Sequence, residues 1–203
     1  MINENSIIRS NAREALSGKW GLAAGTTFVY ILITGIIQSL PLMGPIITLL
    51  LTGAFTLGQT MFFLAIARND NPKLELIFSG FNEFGKALAA YLLLVVVLLF
   101  WTLLLIIPGI IMGLAYSMTF FIIADEPEIG AWDAMKKSKA MMEGNKGQLF
   151  LLSLSFIGWA LLAILTFGIG IFWLIPYMQV SIAKFYDEVK NEYNSQQTTL
   201  DRK

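Results

Sequence analysis

The sequence contains no cysteine and no histidine, and only 14% of its 203 residues are charged. Without cysteine, disulfides, thiolate nucleophiles and iron–sulfur ligation are excluded. Without histidine, the chain lacks the commonest general base and the commonest ligand of zinc, haem and copper. A soluble domain usually carries about 25% charged residues, so this chain has too few to cover a water-facing surface. The composition therefore predicts an integral membrane protein.

The few charges are balanced in number and segregated along the chain. Lys and Arg total 14, as do Asp and Glu, so no net field favours nucleic acid as a partner. Residues 20–67, 87–124 and 147–183 carry no charge at all. Because a transmembrane helix needs about 20 apolar residues, and each stretch is about twice that length, each one predicts a helical hairpin.

Turn-forming residues interrupt each uncharged stretch near its middle. They are Pro41–Pro45, Pro108-Gly109 and Gly168–Gly170, where proline removes a helix donor and glycine permits turn dihedrals. The fourth and sixth of the resulting spans are short, and the alternative is that one of them is re-entrant or strongly tilted. The predicted spans are Trp20–Leu40, Pro45–Ala67, Ala87–Ile107, Gly109–Ala124, Gln148–Phe167 and Gly170–Phe185.

The charged connections resemble one another. An amphipathic segment and then a lysine (Lys19, Lys86 or Lys146) precede each hairpin, and each hairpin ends in an alanine (Ala67, Ala124 or Ala183) next to a charge. The sequence predicts an all-α polytopic membrane protein of about six transmembrane helices, arranged as three parallel-repeat hairpins, each preceded by an amphipathic interfacial helix. The alternative to duplication is convergence of three short units. The approximate repeats are 3–68, 74–126 and 129–188, within a single membrane domain over 1–190.

Two expectations concern the charged side of this bundle. All lysines and arginines fall on one face of the membrane, which by the positive-inside rule places both termini in the cytoplasm. The polar tail 191–203 is predicted to be a disordered cytoplasmic segment. The amphipathic segments are expected to lie in the interface with their apolar faces toward the acyl chains. The alternative is that they fold against one another beneath the bundle.

Polar residues inside the spans are the first candidate site. An ionisable residue inside a span is the usual sign of a transport or proton path. The uncharged stretches hold no Asp, Glu, Lys or Arg, so this sign is missing. Gln59, Tyr116 and Gln179 are the most informative of the polar side chains. They either line a polar path or form interhelical hydrogen bonds, and the structural interpretation is favoured because such bonds are common in membrane bundles.

Two charged groups at the face of the bundle are further candidates for cytoplasmic contacts. The carboxylates Asp125, Glu126 and Glu128 could hold a divalent cation, but they fit a solvated loop before the next helix better. A basic cluster close by has two interpretations. It contacts anionic lipid headgroups, or its charges only set the membrane topology. No P-loop, GxSxG, HExxH or GxGxxG pattern occurs, so no catalytic residue, metal site or cofactor is predicted. The basic cluster consists of Lys136, Lys137 and Lys139.

Several stretches resemble a known family. They include residues 13–20, Ala124–Pro127, residues 130–146, and Pro176-Tyr177 with Ser181, Ala183, Phe185 and Tyr186. In these stretches the chain is similar to the bacterial membrane family called domain of unknown function 975. The resemblance covers essentially the whole chain and implies a bacterial plasma membrane, but no activity. The layout also looks like the membrane domain of some glycerophosphodiester phosphodiesterases, whose catalytic domain has no counterpart here.

Three functional hypotheses remain open at this point. The leading one is a non-enzymatic plasma-membrane protein that binds membrane lipids, a peptide or another membrane protein, in envelope homeostasis or immunity. The second is a small passive transporter, channel or lipid carrier with a path between the repeats. The third, an intramembrane enzyme, would have to use the three carboxylates and the lysine cluster, and the missing histidine and cysteine disfavour it.

Overall fold

The computed structural model describes residues 2–200, which are 82% helical and contain no strand. The helical content follows from long apolar runs whose backbone groups are satisfied within each segment. The helices are α1 (Asn5–Leu16), α2 (Trp20–Gln38), α3 (Gly44–Ala67), a 3₁₀ helix (Leu74–Glu83), α4 (Phe84–Leu104), α5 (Ile106–Tyr116), α6 (Thr119–Asp125), α7 (Ala131–Met141), α8 (Lys146–Leu154), α9 (Ile157–Leu165) and α10 (Ile171–Leu200).

Five helical stretches of the described chain are long and apolar enough to cross a membrane. Helix α10, which contains the sixth predicted span, is not one of them. The predicted all-helical class with several candidate membrane-spanning helices is thus confirmed. The five stretches are Trp20–Gln38, Gly44–Ala67, Leu74–Leu104, Ile106–Asp125 and Lys146–Leu165.

The turns between paired helices lie together at one end of the bundle, which we call the turn end. The first and third turns fall at residues 39–43 and 166–170, where the sequence predicts them. The prediction for the second turn was wrong, because the chain reverses at Leu105, whose backbone is extended (φ −163°, ψ 141°). Pro108 lies instead within the first turn of α5, where its missing N–H leaves no intrahelical hydrogen bond unmade.

The opposite end, which we call the charged end, carries α1, the 3₁₀ helix and α7. Each of these three segments buries part of its apolar face in the protein, as Ile8, Ile77 and Met135 show, while Ile7, Phe78 and Trp132 are exposed. Helix α1 packs on α10 and α3, the 3₁₀ helix on α3, and α7 on α6, α4 and α5. The segments therefore pack mainly against the long helices. They do not pair chiefly with one another, and their placement in the membrane interface stays a prediction.

The 3₁₀ helix crosses α3 with backbone against backbone. A Cβ atom added to Gly58 would lie 1.8 Å from the Ile77 carbonyl oxygen, and one added to Gly80 would lie 2.0 Å from that of Ala54. Small residues permit this approach, as the Ala54–Gly58 spacing indicates. The similar spacing of Gly21 and Gly25 has a different outcome, since a Cβ on either would meet nothing within 4 Å.

The polar C-terminal segment is helical as far as the structure describes it. Helix α10 continues from the apolar region to Leu200, in place of the disordered tail expected from residue 191, and residues 201–203 lie outside the described part. The sequence has no glycine or proline after Pro176, so nothing interrupts propagation of the helix. Hydroxyls of Ser195, Thr198 and Thr199 donate to carbonyls one turn earlier.

Candidate functional site

An ion cluster at the charged end joins α3, α6 and α10. Arg68 follows the last residue of α3, and its two terminal nitrogens each donate to the Asp125 carboxylate at 2.7 Å. The same guanidinium donates to Asp187 from Nη2 at 2.7 Å and from Nε at 3.2 Å. One arginine thus holds two carboxylates, one at the end of α6 and the other on α10.

Asp125 is the centre of this cluster. Its side chain is only 8% exposed, and it also accepts hydrogen bonds from the Tyr186 hydroxyl at 3.0 Å and Lys190 Nζ at 2.7 Å. Burial, together with the nearby Asp125 carboxylate, raises the pKa of Tyr186, and the hydrogen bond to Asp125 raises the pKa of Arg68. The cluster therefore holds the ends of α3 and α6 against α10.

The other predicted charged contacts are dispersed. Glu126 pairs with Lys137 at 2.5 Å, whereas Glu128 is exposed on the surface. Lys136 pairs with Asp133 of its own helix at 2.7 Å. Among the described residues, no group of three or more acidic side chains is placed to hold a metal ion. The three carboxylates thus do not form one site. Lys139 and Lys136 instead line a shallow depression on the surface.

A partly open cavity of about 280 Å³ lies between α3, α5, α6, α8 and α10. Gln59 and Gln179 both line it, so the structure brings these two predicted residues together. Tyr116, the third, is not part of its lining. Neither glutamine amide has a hydrogen-bond partner among residues 2–200, so they do not form the expected interhelical bond. Hydroxyls complete the polar lining, contributed by Thr56, Thr60, Ser117 and Ser153.

The cavity is separated from the ion cluster by one aromatic layer. Phe121 lines the cavity and its ring stacks on Tyr186, with centroids 5.1 Å apart. Gln179 precedes Asp187 by eight residues on α10, a rise of about 12 Å. The stacked pair of Phe121 and Tyr186 therefore lies between the cavity and the ion cluster.

A lateral groove of about 380 Å³ lies between the first two helices and the α9–α10 pair. Its walls are aromatic and aliphatic, with almost no polar surface, and Arg13 lies at its charged end. Thr166 and Gly170 line the end nearest the turns. The other lining residues are Trp20, Trp159, Leu162, Ala163, Trp173, Leu174 and Tyr177.

Tyr177 organises the aromatic wall of this groove. Its ring centroid lies 6.4 Å from that of Trp20, 6.3 Å from Trp159 and 5.1 Å from Phe156, the last two in edge-to-face geometry. The sequence analysis did not identify the groove, because its walls come from helices that are far apart in sequence. The available signal was Trp159, which lies in the middle of a predicted span, where an interfacial tryptophan has no place.

These features define a class, an all-helical protein with several candidate membrane-spanning helices. The chain belongs to the family described as protein of unknown function (DUF975), whose profile matches residues 1–111 and 102–193. The resemblance found in the sequence is thereby confirmed for this family. No curated protein and no solved structure matches the chain. The likeness to the membrane domain of glycerophosphodiester phosphodiesterases stays a prediction.

Proposed function

We propose that the chain is a multi-pass bacterial plasma-membrane protein that binds a membrane lipid and catalyses no reaction. The lateral groove carries this proposal. It combines a volume of about 380 Å³ with nearly uniform apolar walls, and it lies beside helices that would face the bilayer. Ligand sites commonly have such volumes and such apolar linings. Acyl chains match this surface, whereas a water-soluble solute does not.

The proposal includes six spans in three repeated hairpins, with Ile171–Phe185 of α10 as the sixth. Two backbone contacts support the repeat. Lys19 Nζ donates to the Asp70 carbonyl at 2.7 Å, and Lys86 Nζ donates to the Pro127 carbonyl. Each acceptor lies three residues beyond the alanine that ends its hairpin. In each of the first two units, the lysine before the hairpin thus bonds to the backbone just after the hairpin ends.

Both termini lie in the cytoplasm in this proposal, since the charged end holds the lysines and arginines. The cysteine-free chain allows a direct test with single cysteines at exposed positions. Leu42→Cys in the first turn is expected to react with a membrane-impermeant maleimide in intact cells, and Gln197→Cys only after lysis. The reverse pattern would refute this orientation.

Native mass spectrometry of the protein, extracted gently from its own membrane, tests lipid binding. The expected result is a chain that carries one or a few lipid molecules. Trp159→Ala, which opens the groove wall, should lose them, while Trp132→Ala, an exposed tryptophan on α7, should retain them. A stoichiometric peptide or second protein in place of lipid, or a bare chain under the mildest conditions, would contradict the proposal.

The cavity lined by Gln59 and Gln179 favours a second candidate function, a passive path for a small polar solute. Its support is the pair of amides without a protein partner, Gln59 and Gln179, which line the cavity together with four hydroxyl side chains. Reconstituted vesicles test it. Solute flux above that of empty vesicles, lost in Gln59→Leu, would support transport. Wild-type vesicles that show no flux would remove this candidate and leave lipid binding unaffected.

A further inference from the structure

One face of α1 carries two arginines, of which Arg13 lines the charged end of the groove. Arg9 and Arg13 are four residues apart, so their side chains are neighbours on the helix surface. Asn5, one turn earlier, donates from its amide to the Gln148 carbonyl at 3.2 Å, which shows that this face turns toward the start of α8. Arg13 itself lines the groove together with residues of α9 and α10.

Neither arginine has an anionic partner among residues 2–200. The Nε of Arg9 is buried and makes no hydrogen bond. The carboxylates of the adjacent α10 are already engaged, since Glu188 accepts two hydrogen bonds from Asn3 (2.8 and 2.7 Å) and Asp187 is held by Arg68. Arg9 is only partly buried and Arg13 is exposed, so their other guanidinium nitrogens, which have no carboxylate partner in the described chain, leave a site that an anion would complete.

The apolar groove and the paired cations together have the chemistry of one kind of ligand. We propose that the groove binds an anionic phospholipid, with its phosphate at Arg13 and Arg9 and an acyl chain along Trp20, Trp159 and Tyr177. This inference rests on the lipid-binding function proposed above and adds the headgroup. Guanidinium groups suit phosphate because their planar donors can engage two oxygens at once. A zwitterionic headgroup would bring its own cation close to two arginines.

Lipid competition measures the headgroup preference directly. The protein is placed in nanodiscs of equal phosphatidylglycerol and phosphatidylcholine with chains of distinguishable mass, and retained lipids are identified by native mass spectrometry. Two arginines near a headgroup should favour phosphatidylglycerol by about thirtyfold, at about 1 kcal/mol each. The double variant Arg9→Gln/Arg13→Gln should retain both lipids at close to the bulk ratio. The variant Arg9→Lys/Arg13→Lys, which keeps the charge but not the planar donors, should show an intermediate preference.

A matched control removes the same charge elsewhere. Lys136→Gln/Lys139→Gln alters two exposed lysines of α7 that lie outside the groove, and it should leave the preference unchanged. If the double arginine variant does not fold, Arg13→Gln alone carries the test, because this side chain is exposed.

The outcomes separate the two proposals. Retained lipid without headgroup preference in the wild type, or a preference that survives loss of both arginines, overturns the anionic site and leaves lipid binding intact. A preference lost equally in the lysine control also overturns it, since the effect would then be one of overall charge. A wild-type chain that retains no lipid refutes both proposals.

Discussion

Two apolar stretches of this chain, Gly44–Ala67 and Leu74–Leu104, have very different positions in the bundle. Within the most apolar part of each, 56% of the first is buried in the protein but only 11% of the second. The second, less buried stretch is also the more hydrophobic, so apolar character alone does not place a helix in the interior of the bundle. Small residues do, because Gly53 and Gly58 let neighbouring backbones reach α3, while α4 presents a surface of leucine and valine.

The same contrast divides the two ends of the molecule. At the charged end, Ile8, Ile77 and Met135 are buried and the ion cluster joins three helices. At the turn end, large apolar side chains such as Leu103 and Phe167 are exposed. Stability should therefore reside mainly in α3 and the charged end rather than in the turn end.

The largest expected effect comes from emptying the core around α3. Leu57 is 0% exposed, and Leu57→Ala should lower the free energy of unfolding by about 3 kcal/mol through lost packing and a residual cavity. Leu103, 77% exposed at the turn end, is the matched control, and Leu103→Ala should cost less than about 0.5 kcal/mol. Unfolding titrations in mixed micelles measure both. Equal losses would refute the division between the two regions.

Filling the backbone crossing should cost slightly less. Gly58→Ala places a Cβ 1.8 Å from a carbonyl oxygen, and separating the 3₁₀ helix from α3 should destabilise by about 2 to 3 kcal/mol. Gly21→Ala adds the same atom where nothing lies within 4 Å, and in a helix it should be neutral or slightly stabilising. The same titration compares the two variants. A tolerated Gly58→Ala would mean that the crossing is not close in the folded protein.

In the ion cluster, one arginine binds two carboxylates that differ in burial, which allows a comparison between them. Asp125→Asn removes the negative charge and one of the two oxygens that accept from Arg68 and Lys190 at an 8% exposed position, and should cost about 2 kcal/mol. Asp187 is 26% exposed and contacts Arg68 alone within the cluster, so Asp187→Asn should cost less than about 1 kcal/mol. Thermal unfolding in detergent ranks the pair. A larger loss for Asp187→Asn would contradict the central position of Asp125.

The smallest effect on stability should come from a substitution in the cavity lined by Gln59 and Gln179. Gln179→Leu replaces an amide without a protein partner by an apolar side chain of similar size, so stability should change by less than about 1 kcal/mol. The change should be stabilising if the cavity is empty. A clear loss would show that the amide is bonded, by water or by a ligand, and would strengthen the transport candidate.

Much of the fold could be predicted from the sequence because charge segregation and apolar length are strong signals. They place the five candidate spans and the amphipathic segments, and the lysines before the hairpins were recognised as a recurrent feature. The α4–α5 reversal was misplaced because Pro108 is also acceptable in the first turn of a helix, where it is found. Length alone could not choose between these two positions.

The candidate site was less predictable because it depends on helix rotation. Gln59 and Gln179 share a cavity, but Tyr116 does not, since its helix breaks before Thr119. Buried Ser138 of α7 holds this break by donating to the Ala115 carbonyl and accepting from the Met118 N–H. A contact from a distant helix thus sets the rotation of α5 relative to α6. Arg68 and Asp125, close in space, were likewise separated in sequence.

The position of a bound acyl chain tests the central claim most directly. Phosphatidylglycerol with a photoactivatable acyl chain is incorporated beside the protein, and cross-linked residues are mapped by mass spectrometry. The account predicts that labels concentrate on the groove walls, at Trp20 and along Trp159–Tyr177, well above those on the equally apolar and more exposed α4. Labelling in proportion to exposed apolar surface, with Leu103 and its neighbours as heavily marked as Trp159, would contradict a lipid site in the groove.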